Sequence, residues 1–168
     1  MYYKSKFESP LGTIFLLSDG VFLKGLWFAE QKYFPYDILT GAVDKDDLDI
    51  FINTKNWLCR YFSKQNPSPS ELKLAPEGSD FRHEVWNILM AVPYGEVTSY
   101  GEIAKIIAKR HGQKSMSAQA VGGAVGHNPI SIVIPCHRVV GANGNLTGYA
   151  GGIDKKIYLL DLESQGKS

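Results

Sequence analysis

Residues 63–80, "SKQNPSPSELKLAPEGSD", divide the chain into two parts of different character. The stretch is rich in proline and serine and poor in aromatics, the composition of a linker. Before it the pattern is aromatic and β-branched; after it the pattern is helical. The 168 residues suffice for one substantial core or two small ones. The chain therefore reads as α/β in the α+β sense, with domains at 1–78 and 79–168. A small N-terminal β-sheet domain with one helix precedes a mainly helical, winged-helix-like domain.

In the front part, "YYKSKFESPLGTIFLLSDGVFLKGLWF" carries strand-forming runs broken at Pro10-Leu11-Gly12 and Asp19-Gly20, turn signals between adjacent strands. A helix is predicted over Lys45–Phe62 from the spacing of Leu48, Phe51, Ile52, Lys55 and Leu58/Cys59. On that spacing Cys59 is a packing cysteine, beside Trp57, Tyr61 and Phe62.

In the back part, "SDFRHEVWNILMAVP" has a cap at Ser79 or Asp80 and an apolar stripe of Phe81, Val85, Ile88, Leu89 and Val92, ended by Pro93. His83 lies off the stripe and reads as a surface residue. Ser99-x-x-Glu102 is a capping box opening a second helix, whose buried face is Ile103, Ala104, Ile106 and Ile107. The turn "RHGQKS" leads to a third helix capped at Ser115 or Ser117, and the pair spells a helix-turn-helix. Ala118, Ala120, Gly122, Gly123 and Ala124 leave this third helix nearly without side chains. Two adjacent glycines cost roughly 1 kcal/mol each against alanine. Close helix packing is one explanation; the approach of something flat and bulky, such as a nucleic acid groove, is the other.

Net charge is +1, which argues against a basic nucleic-acid binder overall. Within 97–139, however, the cations are Lys105, Lys109, Arg110, Lys114 and Arg138, and the only acid is Glu102. A polyanion contact is expected there, unless these charges merely solvate a helix end. No stretch approaches the ~20 apolar residues of a membrane helix, and the N-terminus shows no apolar signal region, so a cytoplasmic location with reduced thiols is expected. The 2 cysteines and 4 histidines form no metal-binding spacing, and no structural metal is expected.

"SIVIPCHRVVG", 131–141, poses the chemical question. The β-branched run Ile132-Val133-Ile134 reads as a strand ended by Pro135, and Cys136 and His137 follow. Cys136 is either a small core residue at a strand end or a nucleophile. A free thiol, pKa about 8.5, needs a base or a positive field to react at neutral pH. His137 can serve only if the strand has ended, since neighbours in a strand face opposite ways. Glu163, on the final helix "DKKIYLLDLE", is a candidate to orient the imidazole. The loop "GANGNLTGYAGG" is placed to cover Cys136, with Tyr149 as a wall or a core plug.

At this point the sequence resembles the O6-alkylguanine-DNA alkyltransferases, also called methylated-DNA–protein-cysteine methyltransferases. "PCHRVVG" is similar to their active-site signature. "FRHEVWNILMAVPYGEVTSYGEIA", "AVGGAVGHNPISIVIPCHRVVG" and "LTGYAGGIDKKIYLLDLE" match in order and spacing across most of 79–163. The resemblance implies a monomer that binds duplex DNA through the helix-turn-helix, flips an alkylated guanine into a pocket and takes the alkyl group onto Cys136. His137, through a water, and Glu163 would keep the thiol ionised. Tyr100 would serve the departing base, and Asn128 would brace the turn before the active site. The carbonyls of Cys136 and Val139 would read the guanine amino group, and Tyr149, Ala150 and Gly151 would flank the base. Ser117, Gln119, Ala120, Gly123 and Arg138 would meet DNA. No cofactor is implied, because the alkyl group comes from the DNA, and without a resolving thiol each molecule would act once.

The sequence departs from the family at three points. Gln119 stands where the family usually carries an arginine that fills the gap left by the flipped base; glutamine loses the charge and the stacking plane. Ala150 replaces a residue that is often hydroxylated. The metal ligands some members carry in the N-terminal domain have no counterpart here. Two other classes fit parts of the pattern. A Cys-His hydrolase would use the same side chains with an oxyanion hole. A non-catalytic alkylated-base binder would share the helix-turn-helix, although relatives of that kind lack the cysteine.

Overall fold

Alternate side chains of an extended chain point to opposite faces, and residues 16–18 and 25–28 are buried on both. In the computed structural model, which describes residues 1–166, β1 (Tyr3–Ser9), β2 (Gly12–Ser18) and β3 (Leu23–Phe28) pair antiparallel in sequence order. Gly12, at φ 97°, makes the tight turn after Ser9. Ile14 and Leu16 of β2 and Leu26 and Phe28 of β3 are wholly buried. Leu17 and Trp27 pack instead in a second cluster with Leu39 and Ala42. That second cluster explains an element the sequence pattern did not reveal, α1 (Tyr36–Gly41), which brings Leu39 to it. Directly after it, β4 (Val43–Asp44) runs parallel to β1, giving the order β3-β2-β1-β4.

The second helix, α2, begins at Asp49 rather than Lys45 and ends at Phe62. Its buried face is Ile50, Phe51, Thr54, Trp57, Leu58 and Tyr61, rotated from the predicted stripe. Trp57 and Tyr61, one turn apart, stack at 5.6 Å with rings nearly parallel and claim the interior by their area. Ile52 and Cys59 are turned outward; Cys59 is exposed, which corrects its reading as a packing cysteine.

Residues 63–80 are not a free linker. Ser68 caps a short 3-10 turn (Pro69–Glu71) with a full capping box. Trp57 Nε1 donates to Ser68 O at 2.8 Å, and Arg60 pairs with Glu71 at 2.7 Å. Leu23 N donates to Lys73 O at 2.7 Å and Ala75 N to Leu23 O at 2.9 Å, so the strap extends the sheet's hydrogen bonding. The described residues divide into two compact units, 1–77 with 129–131, and 78–128 with 132–166. The insert joins the first unit by a bridge in which Leu26 N donates to Pro129 O and Ser131 N to Leu26 O.

The second unit holds α3 (Asp80–Met90), α4 (Tyr100–Arg110), α5 (Ala118–Gly126) and α6 (Ile153–Gly166). Ser79, Ser99 and Ser117 each cap the helix that follows, their hydroxyls accepting from Arg82 N, Glu102 N and Ala120 N. The Glu102 carboxylate lies 3.7 Å from Lys105. His83 is half-buried, its ring edge-on to Trp86. Gly112, at φ 65°, turns the chain between α4 and α5, and Trp86 Nε1 donates to Ala124 O at 2.9 Å, tying α3 to α5. A two-residue parallel pair joins β5 (Thr98–Ser99) to β6 (Val139–Val140), with Thr98 opposite Val139 and Ser99 opposite Val140. This pairing fixes the start of α4 beside the residues that follow Cys136. Among the described residues no helix is long and apolar enough to cross a membrane.

Candidate active site

Residues 131–134, expected as a strand, are a run of turns. Ile132 sits at φ 69° with its side chain 1% exposed. A β-branched residue in the left-handed region costs of order 1–3 kcal/mol and persists only where its surroundings dictate it. Two hydrogen bonds fix the exit from this bend: Asn128 Nδ2 and Cys136 N both donate to Ile134 O at 2.8 Å. Residues Cys136–Arg138 then form one 3-10 turn, closed by Arg138 N donating to Pro135 O at 3.0 Å. Cys136 and His137 therefore escape the alternation of a strand, and both are buried.

Behind them lies an ionic chain. His137 Nε2 donates to Glu163 Oε2 at 2.6 Å. Arg138 Nε donates to Glu163 Oε1 at 2.8 Å, its Nη2 to Oε2 at 3.0 Å, and its Nη1 to Val92 O at 2.8 Å. Glu163 is 1% exposed and accepts from three N–H groups. Burial pushes its carboxyl up, but the His137 hydrogen bond and the Arg138 guanidinium win and hold it at about 2. An ionised Glu163 fixes the imidazole tautomer, with the proton on Nε2 and the basic lone pair on Nδ1. Burial pulls the His137 pKa down against the raising effect of Glu163, so the imidazole is neutral and able to accept a proton. Arg138 was expected at the DNA surface. It is instead buried, its guanidinium spent on Glu163 and Val92, because a buried carboxylate demands a partner.

The thiol departs from expectation as well. Burial pushes the Cys136 thiol above its ordinary value, against the pull of Asn128, the Lys156 ammonium and Tyr149. Burial thus favours the neutral thiol in the resting protein, and the Nδ1 lone pair of a neutral His137 is available to a proton.

Val139 is buried, and its carbonyl accepts from Lys156 Nζ at 2.5 Å. Tyr149 and Ala150 are half-buried and Gly151 is buried at the end of the loop that follows β6. Tyr100, first residue of α4, is half-buried; an ideal Cβ on Gly122 would lie 3.8 Å from its ring. Ser117, Gln119, Ala120 and Gly123 are all exposed on α5. A Cβ on Gly122 would make only ordinary contact and one on Gly123 would meet nothing within 4 Å. Helix packing inside the protein therefore does not require these two glycines. Sequence reasoning missed Lys156 and the inward role of Arg138. For Lys156 a signal existed: Lys156 and Glu163 share one helix face with Leu159.

Comparison with known proteins now assigns the class. The family model for the 6-O-methylguanine DNA methyltransferase ribonuclease-like domain matches residues 1–76, and that for the DNA-binding domain of the same enzymes matches 80–165. The chain belongs to the 6-O-methylguanine DNA methyltransferase family. A methylated-DNA–protein-cysteine methyltransferase of Methanosarcina acetivorans is 44% identical over 163 residues, covering 97% of this chain and 98% of its own. Its Haemophilus influenzae namesake is 38% identical over 161 residues, covering 96% and 86%. The Mycobacterium tuberculosis O6-methylguanine methyltransferase crystal structure aligns at TM-score 0.85 and 39% identity, over 100% of this chain and 96% of that one. A crystal structure of the M. tuberculosis protein in complex with DNA also aligns at 0.85, with 38% identity over 98% and 94%.

Proposed function

We propose that this protein repairs DNA by moving an alkyl group from O6 of guanine in a duplex to Sγ of its own Cys136, once per molecule. The observation that carries the reading is the His137–Glu163 hydrogen bond, buried and directly behind a cysteine on a 3-10 turn. The Cys136 proton passes to His137 Nδ1 through one water. The sulfur lone pair forms the S–C bond as the C–O6 bond breaks, and that bonding pair leaves on the base. The departing base takes a proton from the Tyr100 hydroxyl and becomes guanine, and solvent carries a proton from the His137 imidazolium back to the tyrosinate. Glu163 stabilises the imidazolium that forms and Arg138 holds Glu163 in place, while the sulfur stays an inert thioether.

The exposed face of α5 enters the groove in this reading. Ser117, Gln119, Ala120 and Gly123 lie on it, and its lack of side chains permits close approach to the duplex. Asn128 holds the turn that carries Cys136, the carbonyls of Cys136 and Val139 read the guanine amino group, and Tyr149, Ala150 and Gly151 wall the base. The partner is double-stranded DNA and the protein acts as a monomer without a cofactor.

Mass spectrometry after incubation with a duplex containing O6-methylguanine tests this reading. The peptide holding Cys136 is expected to gain the mass of one methylene, and Cys136→Ser none. Bound DNA without an adduct would instead mark a non-catalytic binder, and repeated turnover of a thioester would mark a hydrolase.

A further inference from the structure

Lys156 is the lysine that Lys-to-solvent logic does not explain. It has no exposed surface, although it lies on a helix with open faces. Burying an ammonium is costly unless it is paired and hydrogen-bonded. The side chain donates to three carbonyls from two segments: Val139 O at 2.5 Å on β6, and Thr147 O at 2.9 Å and Gly148 O at 3.4 Å on the loop before Tyr149. All three of its donors thus go to backbone of β6 and of the loop before Tyr149, and none to a carboxylate. The groups around the thiol and its imidazole are Lys156 and Glu163 from α6, His137 and Arg138 from the 3-10 turn, and Tyr149 from the loop. Glu163 is already matched by Arg138 and His137.

We propose that Lys156 is a positioning residue of the reaction: its ammonium ties the loop at 147–148 to β6, three residues past Cys136, and supplies a positive charge that offsets the negative charge left on sulfur when the thiol proton departs. The inference rests on Cys136 being the alkyl acceptor. Val139 O keeps a second lone pair, so Lys156 aims this carbonyl at the base without consuming it. Burial lowers the lysine pKa while attraction to the Cys136 sulfur raises it, the reciprocal of the pull Lys156 exerts on the thiol.

The test uses full-length protein without DNA, so that its outcome is separable from methyl transfer. The rate at which iodoacetamide modifies Cys136, read on the peptide across pH, reports the thiolate. In Lys156→Met the midpoint is expected to rise by about one pH unit, a roughly tenfold loss of rate at neutral pH. Hydrogen exchange of the 141–149 amides is expected to quicken several-fold. Lys156→Gln keeps two N–H donors but no charge; its midpoint should rise like that of the methionine variant while loop exchange stays closer to wild type, and it serves if the methionine variant does not fold. A lysine that is only structural would lower the melting temperature of either variant and leave the midpoint in place, and that result overturns the proposal. A wild-type protein that fails to take methyl from DNA would overturn the alkyl-acceptor reading and leave this measurement intact.

Discussion

Glu163 is a buried carboxylate whose ionisation stabilises the fold and to which we assign a part in the chemistry. It stays ionised in the folded protein down to about pH 2, whereas the ordinary value is 4.5. The unfolded chain therefore binds the proton first as pH falls. The stabilisation is complete above about 4.5 and is lost on the way to 2, with a magnitude of about 3 kcal/mol. Urea midpoints measured between pH 5 and pH 2 should fall in the wild type through this window. In Glu163→Gln this component should be absent, and the variant should be less stable at pH 7 by about 3 kcal/mol because Arg138 is left buried without its counterion. Alkyl transfer in that variant should also slow by about 10²-fold, since His137 loses the anion that orients it. A Gln variant with wild-type transfer rate would remove Glu163 from the mechanism. At this scale the sequence was partly legible. Glu163 was legible as a candidate carboxylate, but nothing in spacing brings residue 163 to residue 137. Arg138 was misassigned because a cation in a basic stretch reads as surface until the carboxylate it neutralises is known.

At the scale of elements, α5 carries the most informative contradiction. Its glycines weaken the helix, yet the protein's own packing does not need Gly123. Gly123→Ala is expected to stabilise the fold by about 1 kcal/mol, measured by denaturation. The same change should weaken binding to duplex DNA, because the added methyl stands on the face that approaches it. Stabilisation without loss of affinity would mean that the bare surface has another origin. Gln119 lies on the same exposed face, and Gln119→Arg should tighten DNA binding and speed repair by restoring charge and a stacking plane. Unchanged affinity and rate would show that position 119 takes no part in flipping. Helices α3 to α5 and their serine caps were legible because local spacing and capping chemistry determine them. The 131–134 turns were not: three β-branched residues favour a strand, and only the anchoring of Ile134 by Asn128, and the left-handed Ile132, reveal a bend. In α2 the period was right but the face was wrong, since periodicity does not weigh Trp57 and Tyr61 against Ile52 and Cys59.

For the molecule as a whole, function depends on pairings between residues far apart in sequence. The β5–β6 pair places Ser99 opposite Val140, and so sets the start of α4 beside the strand that follows the Cys136 turn. Glu163 and Lys156 reach back from α6 to 137–139. The mixed α/β architecture was visible in the shift of composition at residues 63–80, but the strap's docking on β3 was not, because its contacts are backbone hydrogen bonds that proline and serine do not advertise. The most direct test of the whole account is a titration of a fixed amount of protein with excess O6-methylguanine duplex, counting guanines restored. The account predicts a plateau at one lesion repaired per molecule, with the methyl recovered on Cys136. Continued repair beyond one equivalent, or methyl released to solvent, would contradict it.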